Sequence, residues 1–284
     1  MNWQPLAEYC RGLEGELAHP AQANAYFTPR SAQGLPVHHD THDVFSLQVA
    51  GEKRWLLYEP ALELPLKNQR YKSETMGEPG DPVLDITLRP GDTLYLPRGW
   101  LHEAKTSETD SLHITVGINV YTWMDAFRAA VESCAADLGF RRSPEGDGPE
   151  ELLDRLAEQL SPERVERRRR RRLVRSRRPI LGGQLSQLRA LESFDLDTEV
   201  ERRATVLYDL SGTTLSFEGK DLTFPEDTAE ELAFIAEAEH PFTPGDLSGD
   251  LDDEGRLVLA ARLVREGFLV ISGAAREPGA DAEA

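Results

Sequence analysis

The feature that most constrains the fold is a series of short segments in the first third of the chain that have the composition of β-strands. Branched and aromatic residues fill each segment, and Gly, Pro or Asp separates it from the next, which is the pattern of strands joined by turns. The segments are 44–51, 53–60, 82–88, 92–97 and 111–120. Short strands at this spacing, without helical repeats between them, predict a β-sandwich or β-barrel over residues 1–120.

The character of the sequence changes near residue 121, and the charge changes with it. The net charge is −6 over residues 1–120, +4 over 121–190 and −16 over 191–284. Helical patterns dominate 121–190. Residues 191–275 mix strands and helices and end in a helix, turn, helix, strand order, which is typical of a winged helix. The final segment, 276–284, is small and polar, and we predict that it is disordered.

An apolar seam with alternating spacings of four and three residues runs along 120–138, which we interpret as one helix of about five turns. The seam consists of Val120, Met124, Phe127, Val131, Cys134 and Leu138. Two interpretations stay open: the helix packs on the barrel of its own chain, or it forms a helix–helix contact in a homodimer.

Composition excludes several classes of protein. No segment approaches the roughly 20 apolar residues that span a membrane, and the first residues lack the basic and apolar regions of a secretory signal. Two cysteines, Cys10 and Cys134, are too few for a disulfide scaffold or a Cys-rich zinc module. We therefore expect a soluble cytoplasmic protein without a membrane partner.

Five of the seven histidines lie between residues 38 and 113. His38 and Asp40 are two residues apart, and on a strand this spacing places both side chains on one face. His102 follows a turn after a strong β segment, which makes it the candidate third ligand from a neighbouring strand. Two imidazoles and one carboxylate on one face of a metal are the ligand set of non-haem Fe(II) oxygenases. Taken alone, the His-x-Asp pair is also compatible with a polar strand edge that carries histidines by chance.

The segments around these residues extend the pattern. They read AYFTPRSAQGLPVHHDTHDVFSLQVAGEKRWLLYEP, LDITLRPGDTLYLPRGWLHEA and SLHITVGI. Over residues 20–120 the chain resembles the JmjC-type cupin oxygenases, and within them the ribosomal-oxygenase branch, which includes bacterial ribosomal protein hydroxylases. The resemblance implies a double-stranded β-helix that uses Fe(II), 2-oxoglutarate and O2, followed by a helical dimerisation region and a winged helix. The expected fold class is mainly β plus α.

The resemblance also implies roles for individual residues. His38, Asp40 and His102 match the metal ligands of the family. Lys53 matches the position of the cation that pairs with the distal carboxylate of 2-oxoglutarate, whereas Arg54 is expected to face the other way. Such a cation is required because a carboxylate left unpaired inside an apolar barrel costs several kcal/mol.

Further polar residues are candidates for the walls of the pocket. Asn24 and Tyr26 match family positions that line the co-substrate pocket, although polar residues on an edge strand are common, and Thr28 on the same face is a weaker candidate. His113 is expected to hydrogen-bond near the site; a direct role in the site and a plain core position are the alternatives. Pocket-facing residues on its strand are Ser111, His113 and Thr115, and rim residues are His39 and His42.

Ten arginines lie within 163–178, six of them in succession, so they cannot all lie on one face of a helix. Ion pairs with the acidic C-terminal third are one interpretation, and contact with ribosomal RNA or another polyanion is the other. The winged-helix-like region lies in the part whose charge of −16 repels phosphate, so we interpret it as a protein-contact or structural module. Nucleic-acid contact is therefore expected only through 163–178.

These observations predict an Fe(II)- and 2-oxoglutarate-dependent dioxygenase that hydroxylates a protein side chain, with a ribosomal protein as the expected substrate. No catalytic residue beyond the metal ligands is expected. Two alternatives stay open: the same chemistry on a small molecule, a peptide or methyl-lysine, and a non-catalytic cupin scaffold that binds metal. Family members have a longer segment before the His-x-Asp strand than the 37 residues found here, so we expect either a truncated start or a branch without that cover.

Overall fold

A computed structural model describes residues 3–106, 108–144 and 149–274 of the chain. The predicted disorder of 276–284 lies outside the described residues. The elements in chain order are α1 (Gln4–Leu17), β1 (Ala21–Thr28), β2 (Asp43–Ala50), β3 (Lys53–Tyr58), α2 (Ser73–Met76), β4 (Leu84–Leu88), β5 (Thr93–Leu96), β6 (Leu101–Lys105), β7 (Ser111–Ile118), α3 (Trp123–Ser133), α4 (Glu150–Glu158), α5 (Pro162–Ser176), α6 (Gln184–Ala190), β8 (Val200–Arg202), β9 (Tyr208–Ser211), β10 (Thr214–Phe217), β11 (Lys220–Thr223), α7 (Ala229–Glu237), α8 (Asp253–Arg265) and β12 (Leu269–Ile271). Among the described helices, none has the length and apolar character needed to cross a membrane.

Residues 19–123 form one of two compact units, and this unit is built from two antiparallel sheets. One sheet has the strand order β1-β7-β2-β5, and the other has the order β4-β3-β6. A further bridge pairs His38 with His102, which joins the segment before β2 to β6. The β architecture expected for the first third of the chain is confirmed. Strand β6 carries His102, as expected for a ligand from a neighbouring strand, although this segment was not among the predicted strands.

Alternation along β3 explains how the sequence fills the interior of this unit. Lys53, Trp55 and Leu57 are buried on one face, and the two apolar residues join a core cluster with β2, β4 and β5. Arg54 lies on the opposite face, where its guanidinium donates two hydrogen bonds to the exposed carboxylate of Asp85. The outward direction predicted for Arg54 is therefore confirmed.

The second unit contains residues 1–18 and 124–284. Its core includes Phe217, Leu263 and Phe268, all fully buried. The sheets of this unit have the orders β11-β10-β9 and β12-β8, and α5 packs against β9 and β10. The arginine-rich helix α5 forms ion pairs with this acidic part of the chain, as one of the two interpretations predicts. The pairs are Arg170 with Asp209 and Arg175 with Asp221.

The helix predicted over 120–138 is shorter than expected. Helix α3 ends at Ser133, and two 3-10 turns, 134–136 and 139–141, follow it. The Ser133 hydroxyl donates to the carbonyl of Ala129, a side-chain bond that competes with regular helical bonding at a helix end. Asp137 adopts an extended backbone and its carboxylate accepts a hydrogen bond from the Gly139 amide. These local hydrogen bonds stabilise the end of α3, so the residues of the 4-3 seam do not all lie on one helix.

Candidate active site

The structure brings His38, Asp40 and His102 together in the β unit. Each residue offers one ligand atom, and the three atoms lie within 4.8 Å of one another. Asp40 Oδ2 is 3.7 Å from His102 Nε2, and the two imidazole centroids are 4.4 Å apart. This spacing fits one ion bound by two imidazole nitrogens and one carboxylate oxygen. The three residues proposed as ligands from the sequence therefore form a single cluster.

Each imidazole is oriented by a hydrogen bond to the backbone carbonyl group of the residue two positions earlier in the chain. His38 Nδ1 lies 2.8 Å from the carbonyl oxygen of Pro36, and His102 Nδ1 lies 3.0 Å from that of Trp100. With Nδ1–H as the donor, Nε2 keeps its lone pair and is available to a metal. Burial and the nearby His38 lower the pKa of His102 to about 4, so its imidazole has the neutral form that a metal ligand requires.

Lys53 lies in the same cavity as the triad and is only 4% exposed. Its ammonium group donates a hydrogen bond to Thr28 Oγ1 at 2.9 Å, and within the described residues no carboxylate forms an ion pair with it. Burial lowers the pKa of Lys53 to about 8. A buried ammonium group with only a hydroxyl partner can bind the carboxylate of a small molecule, since an ion pair offsets the cost of desolvation.

The cavity that contains these groups has a volume of about 400 Å³. Asn24 and Tyr26, on edge strand β1, lie in its wall together with Gln22 and Thr28. Gln22 was not predicted from the sequence, and Thr28, the weaker candidate, is the residue that contacts Lys53. The i, i+2 spacing from Gln22 to Thr28 was the available signal, because it places all four side chains on one face of the strand.

His113 lies outside the cluster of candidate ligand atoms. Its ring stacks on Tyr26 with the centroids 5.2 Å apart and meets the Trp55 ring edge to face at 5.5 Å. Burial, with a further contribution from the charge of Lys53, lowers the pKa of His113 to about 4. Thr115 also lines the cavity, as predicted, but Ser111 does not. Ser111 is buried and accepts a hydrogen bond from a glutamine of β2. A neutral His113 wedged between two aromatic rings shapes the wall of the cavity.

Two histidines differ from their predicted rim positions. His39 is 5% exposed, and its Nε2 lies 2.9 Å from the carbonyl oxygen of Gln69. The prediction for His39 was wrong because its side chain points away from that of His38, into a packed loop. His42 lies in the cavity wall, with its ring against the backbone of Gly117. The absence of a side chain at residue 117 makes room for the His42 ring. This contact could not be predicted, because the two residues are far apart in the sequence.

Comparison with known families agrees with this geometry. Residues 4–126 match the sequence profile described as the JmjC domain. The two sheets within this segment have the β architecture expected from the sequence, and the His38, Asp40 and His102 cluster provides the expected ligand types.

Curated relatives of the chain are ribosomal oxygenases and histidyl-hydroxylases. The bifunctional lysine-specific demethylase and histidyl-hydroxylase NO66 of Drosophila persimilis is 50% identical over 112 residues, which cover 39% of this chain and 16% of that protein. Ribosomal oxygenase 2 of Bos taurus is 46% identical over 96 residues, which cover 33% of this chain and 20% of that protein. The chain thus spans only a small part of the length of these relatives.

Solved structures match a larger part of the chain. The crystal structure of the Escherichia coli ribosomal oxygenase YcfD superposes with a TM-score of 0.56 at 22% identity, covering 95% of this chain and 75% of that one. A second YcfD structure, in complex with cobalt and 2-oxoglutarate, gives a TM-score of 0.57 at 20% identity. At this level of identity the likeness is one of fold.

Proposed function

We propose that this chain is an Fe(II)- and 2-oxoglutarate-dependent oxygenase that hydroxylates a side chain of a protein. The observation that carries the proposal is the presence in one cavity of a two-His, one-carboxylate cluster and the buried ammonium group of Lys53. The cluster alone would suit many metalloproteins, whereas the buried cation is suited to the carboxylate of a small molecule. The name ribosomal oxygenase, which occurs in both comparisons, supports a ribosomal protein as the substrate.

The residues of the chain then have defined tasks. Iron with 2-oxoglutarate and O2 supplies the oxidative chemistry that replaces a C–H bond by C–OH. His38, Asp40 and His102 would hold the metal, since two imidazoles and one carboxylate are the ligand set of non-haem Fe(II) oxygenases. Lys53 binds the distal carboxylate of the co-substrate, and Trp55 helps to exclude water from the cavity. We assign no catalytic role beyond the metal ligands, because oxygen insertion needs no acid–base pair from the protein.

Release of succinate from 2-oxoglutarate in the presence of Fe(II) tests this proposal. We expect turnover to increase when the correct ribosomal protein is added, and that protein should gain the mass of one oxygen atom. Asp40→Ala, which removes the carboxylate ligand, is the control and should abolish both signals. A wild-type protein that binds Fe(II) but releases no succinate, with or without ribosomal proteins, would refute the oxygenase and favour the metal-binding scaffold alternative.

The same assay distinguishes the alternative substrate classes when a methyl-lysine peptide, a short peptide or a small molecule replaces the ribosomal protein. Release of formaldehyde from a methyl-lysine peptide would indicate demethylation, since the hydroxylated N-methyl group is lost as formaldehyde. Oxidation of a small molecule or a short peptide with no effect of ribosomal proteins would replace the proposed substrate class. The cytoplasm remains the proposed location, and cell fractionation tests it.

For the rest of the chain, we propose that 121–190 is a dimerisation region and 191–275 a winged-helix-like domain that contacts protein. The support for a dimer is that the large apolar residues of α3 are exposed, whereas small alanines are buried. The exposed fractions are 45% for Met124, 48% for Phe127 and 56% for Val131. Light scattering tests the homodimer, and a monomer at micromolar concentration would refute it.

We propose that α5 contacts ribosomal RNA when the substrate is presented on the ribosome. Three exposed arginines of this helix, Arg164, Arg167 and Arg171, form no ion pair among the described residues. Spacings of three and four place them along one side of the helix. We expect their joint replacement by glutamine to weaken RNA binding and to reduce its dependence on salt, because each arginine that contacts phosphate releases counterions. Unchanged RNA binding would leave α5 with its ion-pairing role only.

A further inference from the structure

His42 lines the cavity, but neither the motifs nor the proposed reaction provides a role for it. It lies two residues after Asp40 and immediately before β2, and its side chain is 22% exposed. The Cδ2 and Nε2 edge of its ring faces the backbone of Gly117, where a Cβ atom would lie only 2.7 Å from both atoms. Because Gly117 has no side chain, the ring fits against β7 and its other edge faces Asp40.

Two polar groups without partners face each other at this point. His42 Nδ1 is buried and has no hydrogen-bond partner among the described residues. It lies 3.9 Å from Asp40 Oδ1, while the other carboxylate oxygen, Oδ2, faces His102. Within the described part of the chain no donor forms a hydrogen bond to either oxygen of Asp40. A buried polar group without a partner is costly, so a contact between these two groups is favourable.

We propose that His42 is a positioning residue for the metal site: its Nδ1–H donates a hydrogen bond to Asp40 Oδ1 and so directs Oδ2 alone to the metal. The inference rests on the proposed metal site. A contraction of about 1 Å brings the pair to hydrogen-bond distance. A carboxylate bound through one oxygen leaves more coordination positions open than one bound through both, and the proposed reaction needs those positions for 2-oxoglutarate and O2.

A role for His42 as a fourth ligand is less consistent with the geometry. The ligand atoms of His38, Asp40 and His102 lie within 4.8 Å of one another, and neither ring nitrogen of His42 belongs to that cluster. Its Nε2 edge is occupied by the contact with Gly117. A hydrogen bond to Asp40 is the role that uses the free Nδ1.

Binding of Co(II), followed by its absorption spectrum, tests the inference without turnover. We expect His42→Leu to raise the dissociation constant for Co(II) at least tenfold, because loss of a partner that orients a ligand costs 10–100-fold in metal affinity. His42→Asn should stay within about threefold of wild type, since the amide nitrogen of Asn lies one bond from Cγ, as Nδ1 does. His240→Leu, at an exposed histidine of the other unit, is the matched control and should change nothing.

Gly117→Ala provides an independent variant, because its Cβ displaces the ring without removing the imidazole. We expect it to weaken Co(II) binding in the wild-type background and to have no further effect in His42→Ala, which lacks the clashing ring atoms. The melting temperature of each variant shows whether it folds. Wild-type affinity in a folded His42→Leu protein, or equal losses in the Leu and Asn variants, would overturn the inference while leaving the proposed function intact. Absence of Co(II) binding in wild type would overturn both.

Discussion

Replacement of Lys53 by methionine removes the charge at the proposed co-substrate site while keeping most of the apolar stem. The ammonium group is 4% exposed and has Thr28 Oγ1 as its hydrogen-bond partner, so little solvent screens it from a bound carboxylate. A hydrogen bond to a charged group contributes about 1.5–3 kcal/mol. Since about 1.4 kcal/mol corresponds to tenfold in affinity, the dissociation constant for 2-oxoglutarate should rise by about 10- to 150-fold.

The effect should depend on pH in a defined direction. Burial lowers the pKa of Lys53 to about 8, and only the protonated form attracts a carboxylate. The affinity for 2-oxoglutarate is therefore highest well below pH 8 and falls as the pH rises through that value. Lys53→Arg keeps its charge at every accessible pH, so it should bind 2-oxoglutarate with a different affinity but a flat pH profile.

Isothermal titration calorimetry with Co(II)-loaded protein and 2-oxoglutarate measures both effects. Arg54→Met is the matched control, because Arg54 is the adjacent cation but lies on the outer face, paired with Asp85. It should leave the affinity unchanged. Equal affinities in wild type and Lys53→Met, or a loss in Arg54→Met instead, would refute the assignment of Lys53 as the carboxylate partner.

Three further perturbations address the metal site, the association surface and stability. His102→Ala should abolish succinate release and weaken Fe(II) binding measured by equilibrium dialysis; retained turnover would make His113 the third ligand instead. Phe127→Asp should produce monomers in light scattering that still bind Fe(II), and a dimer of unchanged size would exclude the α3 surface. Glu14 is fully buried and paired with Arg177, so Glu14→Ala should lower the free energy of unfolding in urea by about 3–5 kcal/mol; a change below about 1 kcal/mol would indicate a weak pair.

The β unit could be predicted because its signals are local. The strands alternate with turn residues, and the His-x-Asp pair lies on an extended segment, so period-two geometry determines which side chains share a face. The same reasoning predicted that Arg54 points away from Lys53. The distance in sequence between Asp40 and His102 did not matter, because each belongs to a recognisable local pattern.

The helices that the sequence analysis missed or extended too far have a common cause. Helix α1 buries Arg11 and Glu14 rather than a stripe of large apolar residues, so apolar periodicity does not detect it. Helix α3 buries Ala126 and Ala130 and exposes the large residues of the seam. In both cases the buried face is determined by ion pairing or by close packing of small residues, which depends on tertiary contacts.

The position of His42 also depends on tertiary structure. Its ring fits only because residue 117 is a glycine on a different strand, and nothing in the residues around His42 specifies that pairing. For the same reason Thr28 was a weak candidate from sequence, since its contact with Lys53 joins two strands of different sheets.

The orientation of both imidazole ligands depends on carbonyl groups only two residues away, at Pro36 and Trp100. The orientation of each imidazole is therefore determined within one tripeptide, 36–38 or 100–102. The backbone bridge between His38 and His102 joins these two tripeptides. Mutations in the remaining walls of the cavity can accumulate without changing which nitrogen faces the metal. Such a separation allows substrate preference to diverge during evolution while the metal centre is preserved, and it makes these two tripeptides suitable for transplantation into a designed β scaffold.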